Sequence, residues 1–437
     1  MNVTLGTATG GVLPFFKYGM IFFFYYFITG GTAPFLAVWL GDVGTLDAGA
    51  IGLMFGSQAV FAMLFQPLFG VLSDRLDHRK HLLCVVIGLL IMLAPFMNWV
   101  FAPLLRTNLM LAALVGGVYL GITFAAGGGA LEVYIEKACR ANHIPYGRVR
   151  MFGAIGFGFS AAISGMLIST NPESIFWLGS ICAVLMAVLV YRIKPCLNTM
   201  PSGDAPDKTP PVSYAAIGGL LLDRRFWFLV LYVVGVACLY DIFDQQFVNY
   251  FRGFFDSPQQ GTQVFGFVTT LTECMVALGM FLIPGVLNRI GGKNALIIAG
   301  LVMWVRITGS GLATTTFEVV ALKMLHALEV PLVFIGMFKY IEDVFGTRLS
   351  ATIYMVAFVF AKGVGAAIIS PLAGHMYEVY GFRQTYILLG SSALLFTLVS
   401  IFSLDSGKHR KPDRSGKRKP LTAVVDAQVL SQPVVAK

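Results

Sequence analysis

The chain has 437 residues, 57% of them hydrophobic and 13% aromatic, with only 12% charged and a mean hydropathy of +0.77. A soluble domain carries roughly a quarter charged residues, so this composition excludes a soluble globular protein and a disordered one and leaves a polytopic helical membrane protein. The 31 Lys and Arg against 22 Asp and Glu give a net charge of +9, an excess that in a membrane chain marks cytoplasmic loops.

A spanning helix needs about 20 apolar residues, and twelve candidates follow in chain order. The first six run near 15–41, 48–72, 81–103, 109–136, 149–170 and 174–193. The second six run near 226–251, 263–287, 294–313, 316–341, 350–375 and 383–404. The apolar runs are unbroken rather than alternating, which argues against a β-barrel. The expected organisation is an N-terminal six-helix half (1–193), a cytoplasmic linker (194–224) with five prolines from Pro195 to Pro211, a C-terminal six-helix half (225–404) and a basic cytoplasmic tail (405–437). The six cysteines are scattered with no Cys-x-x-Cys and are read as small core residues.

Basic residues set the expected orientation. With both termini in the cytoplasm, the inner loops and tail hold Arg75, Arg79, Lys80, Lys137, Arg140, Arg148, Arg192, Lys194, Lys208, Arg224, Arg225, Arg289, Lys293, Arg348 and the tail cluster, and the outer side holds only Arg106, Arg252 and Arg383. A weak repeat links the halves. Gly70-Val-Leu-Ser-Asp74-Arg75 follows span 2, and Gly285-Val-Leu-Asn-Arg289-Ile-Gly-Gly-Lys293 follows span 8. Two related six-helix halves are a transporter architecture.

Nine charges and a histidine lie inside the apolar spans: Glu132, Arg150, Asp241, Asp244, Glu273, Arg306, Lys323, Glu329 and Lys362, with His326. Each mid-membrane charge costs about 2.5–3.5 kcal/mol on insertion scales. The nine together would cost roughly 20–30 kcal/mol unpaired, more than a typical protein's whole stability, so they must pair or face a water-filled cavity. Five are acids and four are cations. If every cation pairs, one buried carboxyl is left over, and such a group tends to hold a proton. Lys323, His326 and Glu329 recur every three residues on one broad helix face ahead of Val330-Pro331, where the helix can kink. Arg150 and Phe157 are seven residues apart on one face of span 5, so an aromatic ring stands beside the Glu132–Arg150 polar pair.

The loop at 70–80 resembles the loop signature of the major facilitator superfamily. Longer stretches resemble the lactose permease group, the oligosaccharide:proton symporters: Phe65-Gln-Pro-Leu-Phe-Gly70, Tyr240-Asp-Ile-Phe-Asp-Gln-Gln-Phe247, Asn288-Arg-Ile-Gly-Gly-Lys-Asn-Ala-Leu296 and Leu349-Ser-Ala-Thr-Ile-Tyr354. The likeness runs from about Phe15 to Leu404. It implies the all-α, twelve-helix major facilitator fold in a bacterial inner membrane and alternating-access import of a sugar with a proton. It implies that Glu329 is the proton site, that Arg306 assists its deprotonation and that His326 links it to the sugar. It also implies that Glu132, Arg150 and Glu273 bind sugar, and that Asp241–Lys362 and Asp244–Lys323 are structural ion pairs.

Departures from the group bear on the substrate. Phe157 stands where lactose permeases carry a tryptophan, Val276 replaces an asparagine, Ala154 a cysteine, Thr29 a methionine, and Gly128 an alanine, which leaves more room. Glu273 favours galactosides, because sucrose permeases of the group shift this carboxylate. The expected order is a galactosyl disaccharide (lactose or melibiose), then a raffinose-like trisaccharide, with sucrose as the alternative. No cofactor, metal or nucleic acid is expected; the partners are sugar, proton and membrane lipid, and the chain is expected to act as a monomer. A membrane enzyme would need a nucleophile–base set or metal cluster, and a channel a ring of like charges; the sequence offers neither. A non-transporting sugar sensor is the third class, separated from a carrier by counterflow.

Overall fold

A computed structural model describes residues 12–76, 80–142, 144, 146–192, 220, 222–346 and 350–406. Most of the expected linker, most of the tail and the tip of the 70–80 loop lie outside the described residues. Within them, the chain is a succession of long helices: α1 (Pro14–Asp42), α2 (Ala48–Phe69), α3 (His81–Ile91 continued by Leu93–Thr107 across a 47° bend), α4 (Leu109–Cys139), α5 (Arg148–Thr170), α6 (Ser174–Arg192), α7 (Arg224–Phe254), α8 (Pro258–Met280), α9 (Gly292–Leu312) and α10 (Thr316–Phe345). Each is long and apolar enough to cross a bilayer.

The last apolar stretch, Tyr354–Ser403, has 50 residues, about 75 Å at 1.5 Å per residue and twice what one crossing needs. It is broken at Gly381, whose φ of 77° and ψ of 164° are not helical, so it supplies two spans, α11 (354–380) and α12 (382–403). This brings the spans to twelve among the described residues. Most of their limits fall within about five residues of those expected from hydropathy, α8 being the main departure at 258–280 against the expected 263–287.

Local chemistry sets the helix ends. Asn108 caps α4, its side chain accepting from Leu111 N at 3.1 Å, and Ser257 caps α8 the same way, followed by Pro258 at the first helical position. Thr315 and Glu318 form a reciprocal capping box at the start of α10. After α8 the helix continues to Ile290 and stops at Gly291, whose φ of 81° is costly for any residue with a Cβ.

Small residues set the packing. A methyl group at Gly30 of α1 would come within 2.7 Å of the Phe157 backbone on α5. Two similar crossings join the first six spans to the second six. At Gly165 of α5 a methyl would lie 3.1 Å from Gly266 Cα on α8, and at Gly52 of α2 it would lie 2.9 Å from Gly374 Cα on α11. Both crossings sit at the end of the bundle where α1 finishes. There Arg252 of α7 also grips Asp42 of α1 with two hydrogen bonds of 2.7 Å, and Asn249 Nδ2 donates to Ala37 O at 3.2 Å. The joining contacts gather at this end and reach inward to mid-span, where Thr270 Oγ1 donates to Gly158 O at 2.6 Å.

The wide π-helical turn Gly121–Ala126 in α4 loosens the backbone ladder just before Gly127-Gly128-Gly129. Tyr25 of α1 caps the loosened carbonyls, its hydroxyl donating to Phe124 O at 2.9 Å and to Thr123 O at 3.3 Å. This positions the face of α4 that carries Glu132.

Candidate functional site

In the first six spans, α4 and α5 bring Glu132 and Arg150 together. Arg150 Nη2 donates to Glu132 Oε1 at 3.2 Å, and the two side chains keep 38% and 14% of their surface exposed. Phe157 lies two turns along α5, half-buried, where its backbone packs on Gly30. Gly128 sits against Tyr25, and a methyl there would come within 3.0 Å of the Tyr25 hydroxyl.

Glu273 enters from α8. Its Cβ lies 3.5 Å from where a methyl on Gly158 would be, so α8 packs there against α5 next to Phe157 in the chain. Val276, one turn further along α8, is buried. Among Lys, Arg and His, the partner the structure gives Glu273 is His326, with Nε2 3.6 Å from Oε1.

Beyond His326 lies the densest cluster of charge in the molecule. Arg306 of α9 is fully buried, donating through Nη1 to Glu329 Oε2 at 2.6 Å and to Asp244 Oδ2 at 3.2 Å, and through Nη2 to Asp244 Oδ1. Lys323 Nζ lies 3.6 Å from Asp244 Oδ1. The aromatic faces of Phe243 and Tyr240 lie 4.9 and 5.7 Å from the guanidinium carbon, a neutral way to solvate a buried cation. Lys362 and Asp241 form a separate pair at 2.6 Å, more exposed than the rest.

The structure brings these charged groups together, with three differences from the expected pattern. Asp244, expected to pair with Lys323, is held more closely by Arg306, because the planar guanidinium matches both carboxylate oxygens and a lysine does not. The acid left without a Lys or Arg partner is Glu273, not Glu329. Glu329 keeps half an ion pair, since its Oε1 is buried with no hydrogen-bond partner. The break in α10 also falls earlier than Val330-Pro331. The helix stops at Met324 and resumes at His326, with Leu325 N and Leu328 N making tightened three-residue bonds, while Pro331 stays inside the second piece.

His326 joins the two clusters. One ring nitrogen, Nε2, faces Glu273; the other, Nδ1, lies 3.3 Å from Arg306 Nη1 and 3.1 Å from the Tyr240 hydroxyl. A guanidinium can only donate, so the Arg306 contact asks for a lone pair on Nδ1. Polar groups thus follow one another from Glu273 through His326 and Arg306 to Glu329, the Glu273–His326 step being the longest at 3.6 Å.

Two tyrosines escaped the sequence reading. Tyr26 donates to Glu132 Oε1 at 2.6 Å, and Tyr240 stacks on the His326 ring at 5.6 Å while its hydroxyl meets Nδ1. The available signal was the hydroxyl itself. Tyr25 and Tyr26 interrupt the run Phe22-Phe23-Phe24…Phe27, and a hydroxyl in an apolar span needs a partner. Among the described residues, no group of His, Cys, Asp and Glu could hold a metal ion.

Comparison with known proteins gives a consistent picture. Residues 11–414 match the family described as the LacY proton/sugar symporter. A melibiose permease from Enterobacter cloacae is 48% identical over 90% of this chain and 93% of its own length, and a raffinose permease from Escherichia coli is 46% identical over the same shares. A lactose permease from Klebsiella oxytoca is 47% identical over 87% of this chain and 92% of its own, and a sucrose permease from Escherichia coli is 31% identical over 86% and 89%. Among solved structures, a nucleoside transporter, NupG, superimposes with a TM-score of 0.72 at 14% identity, covering 90% of this chain and all of its own. That likeness carries the transporter fold alone.

Proposed function

The chain belongs to the LacY proton/sugar symporter family, a family of membrane carriers rather than enzymes, and on that premise we propose that it imports a galactoside together with a proton across a bacterial inner membrane. The observation that carries the reading is the run of polar groups from Glu273 through His326 and Arg306 to Glu329, which links a half-buried acid to a fully buried one. Glu132, Arg150, Glu273 and His326 supply the hydrogen-bonding groups for sugar hydroxyls, Phe157 offers a ring to the sugar's C–H face, and Gly128 leaves space. Glu329 carries the proton and Arg306 governs its release, while Asp241–Lys362 and Asp244–Lys323 are structural.

The proton balance follows from charge. Arg306, Lys323 and Lys362 face Asp241, Asp244, Glu273 and Glu329, so with His326 neutral the group has one negative charge too many. One proton neutralises it, and the buried Oε1 of Glu329 is a place to hold that proton. Sugar at Glu273 disturbs His326, which disturbs the Arg306 contacts that decide whether the proton stays. A potential of 100 mV adds about 2.3 kcal/mol per proton carried, enough for uphill import.

The two six-helix halves rock about the glycine crossings, with both termini in the cytoplasm and the joined end outside, so sugar leaves toward the end where α1 begins. One protomer contains every group this cycle uses. The identity to melibiose, raffinose and lactose permeases supports a galactosyl disaccharide or raffinose over sucrose. Competition of uptake by lactose, melibiose, raffinose and sucrose in proteoliposomes tests it. Preference for the galactosides is expected, and preference for sucrose would contradict it.

A further inference from the structure

Glu132 is held by two donors on one oxygen. Both the Tyr26 hydroxyl, at 2.6 Å, and Arg150 Nη2, at 3.2 Å, reach Oε1. No hydrogen bond to Oε2 is found among the described residues. Arginine and a carboxylate by themselves prefer the closed fork, two parallel bonds that use both oxygens. Such a pair would present a ligand with nothing to bind until it was broken.

We infer that Tyr26 is a positioning residue of the sugar site: its hydroxyl occupies Glu132 Oε1 and so keeps the Glu132–Arg150 pair open, with Oε2 as a free acceptor beside free guanidinium donors. An acceptor next to donors matches two neighbouring hydroxyls of a sugar ring. The inference rests on the symport reading and names what sets the selectivity of that same site.

The fold holds Tyr26 to this task. Its ring stacks on Phe22 at 5.9 Å and 16° and meets Tyr25 edge-on at 5.5 Å and 82°. Space for it is made by Gly153 of α5, where a methyl would come within 2.7 Å of the ring. The residue is half-buried.

The test is equilibrium exchange of labelled melibiose and raffinose by purified protein in proteoliposomes, comparing wild type with Tyr26→Phe, Tyr26→Leu and Gly153→Ala. Tyr26→Phe keeps the ring and removes only the donor. It should raise the exchange KM about tenfold, the loss of one hydrogen bond to a charged group, with the maximal rate within about twofold, and it should narrow the difference between the two sugars. Gly153→Ala, which displaces the ring while keeping the hydroxyl, should shift KM the same way. A residue that merely packs would tolerate Tyr26→Phe and fail only in Tyr26→Leu, with lowered thermal stability. An unchanged KM and selectivity in Tyr26→Phe therefore overturns the inference and leaves the symport reading standing. Wild-type protein that exchanges neither sugar overturns that reading and the inference together.

Discussion

Arg306 and Glu329 form a fully buried ion pair at 2.6 Å in which only one carboxyl oxygen is satisfied, the other having no hydrogen-bond partner. A charged carboxylate left half-paired inside a membrane protein is costly, and a proton on it removes that cost. Glu329→Gln fixes the neutral form. It should reduce the accumulation ratio under a proton gradient to about one while sugar exchange persists, because exchange needs no release of the proton. Parallel measurement of uphill uptake and equilibrium exchange checks this, and uphill uptake that survives would place the coupling proton elsewhere.

Arg150 reaches Glu132 through one nitrogen, which leaves the rest of its fork to a ligand. Arg150→Lys keeps the charge and loses the fork. Sugar affinity should fall about 10- to 100-fold, the range of 1.5–3 kcal/mol for a charged hydrogen bond. Equilibrium binding of labelled sugar in detergent reads this, and binding within twofold of wild type would argue against a direct contact.

Asp241 and Lys362 are 2.6 Å apart and stand outside the Arg306 cluster. Removing one partner leaves a lone charge, whereas removing both leaves none. Asp241→Asn and Lys362→Met should each destabilise the protein by about 2 kcal/mol, below the range for fully buried pairs because these side chains keep some exposure. The double variant should recover most of the stability and much of the transport. Thermal unfolding in detergent, with uptake measured alongside, gives the double-mutant cycle. A double variant as damaged as the sum of the singles would mean the pair acts in transport.

The two-bond grip of Arg252 on Asp42 joins the first six spans to the second six. It sits at the closed end, so it favours closure there. Exposed pairs contribute up to about 1 kcal/mol, which is roughly a fivefold shift in a two-state equilibrium. Arg252→Gln should raise by that factor the alkylation rate of a cysteine placed at Gln263, whose side chain bonds Ser169 across the same end. The swap Asp42→Arg with Arg252→Asp should restore it. An alkylation rate indifferent to both changes would remove the pair from the conformational balance.

Much of the architecture was legible because the membrane makes a simple demand. Twenty apolar residues in a row have few alternatives, and all twelve spans were found that way, including the two hidden in the continuous stretch Tyr354–Ser403, which Gly381 divides. The charged residues were legible for the converse reason, since Asp244, Arg306, Lys323 and Glu329 have no business in lipid unless they meet. Pairing was not legible. That Arg306 outcompetes Lys323 for Asp244 depends on where α9 and α10 place two planar groups, and helical periodicity carries no such information. Tyr26 and Tyr240 were hidden within aromatic stretches whose rings read as core, their contacts with Glu132 and His326 made by one oxygen each.

In the proposed symport cycle, sugar and proton move together through one site ending at Glu329. Its most direct test is the pH of a weakly buffered suspension of de-energised cells expressing the protein when melibiose is added, with sugar entry followed at the same time. The account predicts prompt alkalinisation of the medium in proportion to sugar entering, and none with Glu329→Gln. Sugar entry with no change in pH, or alkalinisation that persists in Glu329→Gln, would contradict it.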